Sequence, residues 1–121
     1  MKDVETMLFE YFQKQTNKTA LYPQEPKEIA LAYLTLGLCG EAGEVAEIIK
    51  KMIRKGIPME KLRDKDSDNA LRQQIKDELG DVIWYIGQIC EQCDLGMEDI
   101  AQNNIDKLKK RADDKNIQKL D

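Results

Sequence analysis

From Pro26 to Lys55 the chain reads "PKEIALAYLTLGLCGEAGEVAEIIKKMIRK", with no further proline and with its apolar residues at helical spacing. Ala30, Leu34, Leu38, Val45, Ile48 and Met52 fall on one stripe of a helix that turns about every 3.6 residues. The pattern predicts a long helix that starts at Pro26, a residue suited to a first helical turn, and stops at "KGIP". Two features sit badly with a plain amphipathic helix. Gly37, Gly40 and Gly43 each cost about 1 kcal/mol relative to alanine in a helix interior, so either a close neighbour or ligand compensates them or the helix kinks there. Glu41 lies inside the apolar stripe, with Glu44 at its edge.

The remaining segments are helical too. Val4, Met7, Leu8, Tyr11 and Phe12 predict a short amphipathic helix over residues 4–15. It is broken by "TNKTALYPQEP", where Tyr22 and Glu25 each precede a proline and are pushed out of helical geometry. The stretch Gly56 to Arg72 is charged and weakly periodic, and reads as a mobile connection with at most one helical turn. A helix over about residues 70–93 stacks Ile75, Leu79, Val82, Ile83, Ile86, Ile89, Cys90 and Cys93 on one side. The last helix opens at Met97 and turns Met97, Ile100, Ala101, Ile105 (or Asn104) and Leu108 inward; its acids come first and its cations last, the order that a helix dipole favours. The tail "ADDKNIQKLD" is expected to fray. With 121 residues and no internal repeat, residues 1–121 read as one all-α domain, a four-helix bundle.

Composition removes several kinds of chemistry. A net charge of -4 argues against general affinity for a nucleic-acid polymer, although a local basic cluster can still grip a small phosphate ligand. The absence of histidine excludes Ser-His and Cys-His nucleophilic catalysis. Three cysteines cannot all pair, and Cys90 and Cys93 form a C-x-x-C with no second pair and no histidine to complete a zinc site. They read as reduced, packed thiols. Met1 to Thr6 is polar and charged, and no uninterrupted apolar run approaches the ~20 residues that span a bilayer. A cytoplasmic location without membrane contact is expected.

What remains is a constellation of acids. Glu41 and Glu44 are spaced i, i+3 and share a helix face; Glu78 and Asp81 repeat that spacing beside the stripe of Ile75, Leu79 and Val82. If the two edges face each other, four carboxylates converge, and like charge and desolvation both oppose their ionisation. A divalent cation offsets this, and all-oxygen ligation points to Mg²⁺, with Mn²⁺ a substitute. The plainer reading, solvated acids on helix surfaces, explains either pair alone but explains poorly an acid on a core stripe.

The arrangement "EAGE" and then "ELGD" resembles the all-alpha nucleoside triphosphate pyrophosphohydrolases of the MazG-like superfamily, whose hallmark is E-x-x-E followed by E-x-x-D on successive helices. The likeness extends through "YPQEPKEIALAYLTLGLCGEAGEVAEIIKK", "DELGDVIWYIGQI" and "NIDKLKKR", most of residues 19–111. The resemblance implies a MazG-type fold and hydrolysis of a (d)NTP to (d)NMP and pyrophosphate. It implies that Glu41, Glu44, Glu78 and Asp81 hold Mg²⁺, with Glu41 as the base toward water. Asn104, Lys107 and Arg111, at i, i+3, i+7 on the last helix, match the superfamily's phosphate-binding positions. Tyr85 and Trp84, beside Asp81, are candidates to stack a base, although packing explains Trp84 equally well; Glu47 is a candidate to join the metal ligands or to support them from behind. The resemblance also implies a homodimer or a dimer of dimers.

One departure concerns the 33 residues between Glu44 and Glu78, more than the superfamily's simplest pattern, with the excess in Gly56 to Arg72. It leaves open the nucleobase preference, and with it a house-cleaning role as against one in the ordinary nucleotide pool. Two alternatives stand beside the main reading. One is a phosphoribosyl-ATP pyrophosphatase, which shares these acids. The other is a non-catalytic helical interaction module, which requires no Mg²⁺-dependent stabilisation and tolerates Glu41→Gln.

Overall fold

The computed structural model describes residues 7–66 and 69–114. Four helices follow in order: α1 (Phe9–Thr16), α2 (Lys27–Lys55), α3 (Ala70–Gln92) and α4 (Met97–Asp113), with 3₁₀ turns at Asn17–Thr19 and Met59–Arg63. The fold is all-α, and no strand occurs among the described residues.

α2 begins after Pro26, which caps it in an extended conformation, and ends at Gly56 in the left-handed region with φ 67°. The Ile57 amide donates to Met52 O at 2.9 Å and the Gly56 amide to Ile53 O at 3.1 Å, a Schellman stop that needs the glycine. The helix passes through Gly37, Gly40 and Gly43 unbroken. At Gly37 the reason is close approach, because a Cβ there would overlap the ring of Tyr85. At Gly40 and Gly43 a Cβ would enter open space, with no neighbour within 4 Å. Gly43→Ala is therefore expected to raise stability by about 1 kcal/mol, read by urea denaturation. A fall instead would show that another chain packs on that face.

α3 runs antiparallel to α2. Tyr85 sits on Gly37, Glu78 and Asp81 lie beside Glu41, and Leu71 and Gln74 share a concavity with Met52 and Lys55. The predicted stripe delivers Ala30, Leu34 and Met52 to full burial, with Leu38, Val45 and Ile48 half-buried. Burying a side chain such as Leu34 or Met52 stabilises by roughly 1.5–3 kcal/mol. Tyr22, from the loop after α1, joins Ala30 and Leu34 in the core, and Ala20, Trp84, Tyr85 and Ile89 pack around them.

A buried polar network fastens this loop to α3. Gln88, only 1% exposed, accepts from the Tyr22 hydroxyl at 2.6 Å and donates to Thr16 Oγ1 and Asn17 Oδ1 at 2.8 Å each. Gln92 donates to the same Tyr22 hydroxyl, and Trp84 Nε1 donates to Thr19 Oγ1 at 2.7 Å. Every buried side-chain nitrogen and oxygen among the described residues has a partner. An orphaned member of such a network costs about 1–3 kcal/mol, so the loop is held in one arrangement.

At the same C-terminal end of α3, Gln13 ties α1 to the start of α4. Its amide donates to Glu91 Oε2 and Leu95 O, and its oxygen accepts from the Met97 amide at 2.7 Å. Glu98 in turn accepts from the Glu10 amide, which serves an otherwise unpaired donor in the first turn of α1.

Several sequence expectations need correction. The first helix begins at Phe9 rather than at residue 4, because Leu8 is extended; Val4 lies outside the described residues. The connection Gly56 to Arg72 is more ordered than its charge suggests. The Asn69 side chain binds Lys61 O and Asp64 O and accepts from the Arg72 amide to cap α3, while Arg72 Nη1 donates to Leu62 O at 2.7 Å. Leu79, Ile83 and Cys93 on α3, and Ile100, Ile105 and Leu108 on α4, are exposed rather than inward, because no described helix fully covers them; Ile105 reaches 57%. Cys90 is buried, and burial pushes its thiol up. Most of the tail expected to fray lies outside the described residues, although Ala112 and Asp113 close α4. By length and composition α2 could cross a membrane, its best window reaching a mean hydropathy of 1.3, but the helix carries Glu41 and Glu44 and packs along α3.

Candidate active site

The helical phase that put Glu41 on the apolar stripe of α2 also turns it toward α3. There Glu78 and Asp81, one turn apart, come up from the antiparallel partner, and one carboxylate oxygen from each of Glu41, Glu78 and Asp81 lies within 4.8 Å of the others. Glu41 and Glu78 are half-buried and Asp81 is exposed, so the cluster opens to solvent on one side. Glu44, one turn beyond Glu41, is exposed and is not among the three converging groups, although its charge reaches Glu41. Three clustered carboxylates with no cation among them form an all-oxygen donor set suited to a hard divalent ion.

Crowding shows in the protonation of Glu41. A hydrogen bond with Glu78 raises its pKa most, followed by partial burial and then by the negative charges of Asp81, Glu78 and Glu44, taking it from 4.5 to about 7. In metal-free protein this has a stability consequence of definite sign. Below 4.5 Glu41 is protonated folded and unfolded; between 4.5 and about 7 only the folded state keeps the proton, so stability from this group falls as pH rises. Glu41→Gln removes that loss. In chelator, the variant is expected to melt close to wild type near about pH 5 and distinctly above it near about pH 8; parallel melting curves would mean that no proton is shared with Glu78.

The other residues singled out in the sequence are placed variously. Tyr85 lies in the socket above Gly37, edge-on to Trp84 at 5.0 Å between ring centroids; burial, then the neighbouring Tyr33, Glu41 and Asp81, raise its pKa and keep it a neutral hydroxyl. Trp84 is half-buried, edge-on to Tyr22 and hydrogen-bonded to Thr19, so its ring is committed to the core. Glu47 is exposed and paired with Lys50 at 2.8 Å, which lowers its pKa. Asn104, Lys107 and Arg111 form an exposed face of α4, and their side chains make no ion pair or hydrogen bond with other described residues. Sequence reasoning passed over Tyr33, an exposed tyrosine of α2 that neighbours Tyr85. No motif marks it, and its surroundings come from the loop that carries Tyr22.

Comparison with known proteins shows the family. Over 114 residues the chain is 35% identical to the "Gene 37 protein" of Mycobacterium phage L5, an alignment that covers 88% of this chain and 90% of that protein. No solved structure matches the chain. Residues 30–115, which contain all four hallmark acids and nearly the whole of α2, α3 and α4, match the MazG nucleotide pyrophosphohydrolase domain, and the chain belongs to that family.

Proposed function

We propose that the protein hydrolyses a nucleoside triphosphate, with a deoxynucleotide as the first candidate, between its α and β phosphates, and that it releases the monophosphate and pyrophosphate. The observation that carries this reading is the convergence of Glu41, Glu78 and Asp81 between two antiparallel helices of a MazG domain. These three residues would hold the divalent cation, with Glu44 one turn away at the rim. The chemistry that a bound Mg²⁺, or Mn²⁺ in its place, supplies is neutralisation of phosphate charge and acidification of water.

The chain's own groups do the rest. Glu41, the most crowded of the three, with a pKa raised to about 7 before any cation binds, is the candidate to accept the proton from water. As the water oxygen bonds to phosphorus, the bridging P–O bond breaks and its electron pair leaves with pyrophosphate. Asn104, Lys107 and Arg111 offer an amide and two cations on one helix face, a set suited to phosphate oxygens. The apolar residues left exposed on α3 and α4 support a homodimer or a dimer of dimers, and a cytoplasmic location belongs to the same proposal. Sedimentation is expected to give a dimer or larger species, and a monomer at micromolar concentration would contradict that part of the reading.

The test is pyrophosphate release from a panel of dNTPs and NTPs with Mg²⁺. Release that depends on the metal supports the reading and ranks the bases. No release from any of them, by folded protein, would remove it.

A further inference from the structure

Trp84 and Tyr85 are both half-buried, the one bonded to Thr19 and the other seated over Gly37. Tyr33 is more open. The residue is 45% exposed, and its ring stacks on Tyr22 with centroids 5.4 Å apart and planes 13° from parallel. Tyr22 is itself 7% exposed, and its hydroxyl is held by Gln88 and Gln92. One face of Tyr33 is therefore covered by an immobile ring while the other is turned to solvent.

Its position relative to the acids is also fixed. Tyr33, Gly37 and Glu41 follow at i, i+4 and i+8, so they lie on one side of α2, with Tyr33 about 12 Å from Glu41 along the axis at 1.5 Å per residue. That is the length scale of a nucleotide. Tyr85, lying over Gly37, neighbours Tyr33 as well as Glu41 and Asp81. We infer that Tyr33 is the platform on which the nucleobase stacks while the phosphates lie at Glu41, Glu78 and Asp81. The inference rests on the hydrolase reading for its substrate class. A ring face recognises any base, because every base has a π-face. The platform therefore separates nucleotides from polyphosphates that lack a base, rather than one base from another.

The experiment is calorimetric titration of the full-length protein with a non-hydrolysable α,β-methylene dNTP and, separately, with inorganic tripolyphosphate, both with Mg²⁺. Tyr33→Ala is expected to weaken nucleotide binding by about five- to hundred-fold, the usual range for loss of one base–aromatic stack. Tyr33→Phe keeps the ring and is expected to restore wild-type affinity, and neither change should affect tripolyphosphate. Unchanged nucleotide affinity in Tyr33→Ala overturns the platform. So does equal weakening toward tripolyphosphate, or an altered sedimentation coefficient with no effect on nucleotide, which would make Tyr33 a subunit contact. Tyr33-dependent binding without pyrophosphate release by wild type would keep the platform and remove the hydrolase reading; no nucleotide binding by wild type would remove both.

Discussion

Replacing Glu78 by glutamine is expected to reduce pyrophosphate release by more than about a hundred-fold, because loss of even an outer partner of a metal ligand costs 10–100-fold. The substitution keeps the shape of the side chain and removes one of the three converging carboxylates. It also removes the group that most raises the pKa of Glu41, so in metal-free protein that pKa should fall. Two readouts should move together: turnover falls, and the rise in melting temperature on adding Mg²⁺ shrinks, since a ligand stabilises only in proportion to its affinity for the folded state. Retained turnover would show that the cluster is not where the chemistry occurs. Unchanged stabilisation by Mg²⁺ would show that the cation binds elsewhere, and no stabilisation in wild type would favour the interaction module.

The second large effect lies in the backbone beneath Tyr85. A Cβ at residue 37 would overlap Cε1, Cζ and Cδ1 of that ring, and the ring has little room to retreat, since it meets Trp84 at 83° and Trp84 is bonded to Thr19. Gly37→Ala is expected to destabilise by about 1–3 kcal/mol, the usual range for overpacking, and Gly37→Val by more. This overrides the roughly 1 kcal/mol that alanine gains over glycine through helix propensity. The contrast with Gly43→Ala, of opposite sign on the same helix, separates packing from propensity. Adding Tyr85→Leu to Gly37→Ala should recover part of the loss, and a double-mutant cycle reads the coupling directly. Additivity would mean that the two residues do not touch in solution.

The parts of this molecule that follow local rules were legible in the sequence. Pro26 and Gly56 bracket α2 because one suits a helix entry and the other a left-handed stop, and Met97 opens α4 behind Gly96 for similar reasons. Glu41 stood out because an acid on an apolar stripe requires an explanation, and antiparallel pairing with Glu78 and Asp81 supplies one. The parts that depend on long-range partners were not legible. Asn69 and Arg72 look like loop filler until their bonds to Leu62 and Asp64 are seen. Ile105 and Leu108 have the period of a buried face, and period cannot say whether the cover comes from the same chain. Trp84 and Tyr85 attracted attention as neighbours of Asp81 in sequence; Tyr33 is an exposed residue eight positions before Glu41, and its backing by Tyr22 crosses a loop.

The most direct measurement is phosphorus NMR of the products formed from a dNTP with Mg²⁺, because it identifies which anhydride bond is cut. Equal amounts of nucleoside monophosphate and pyrophosphate, absent with Glu78→Gln, are the expected result. A diphosphate with inorganic phosphate, or an unchanged triphosphate beside folded wild-type protein, would contradict cleavage between the α and β phosphates at this site.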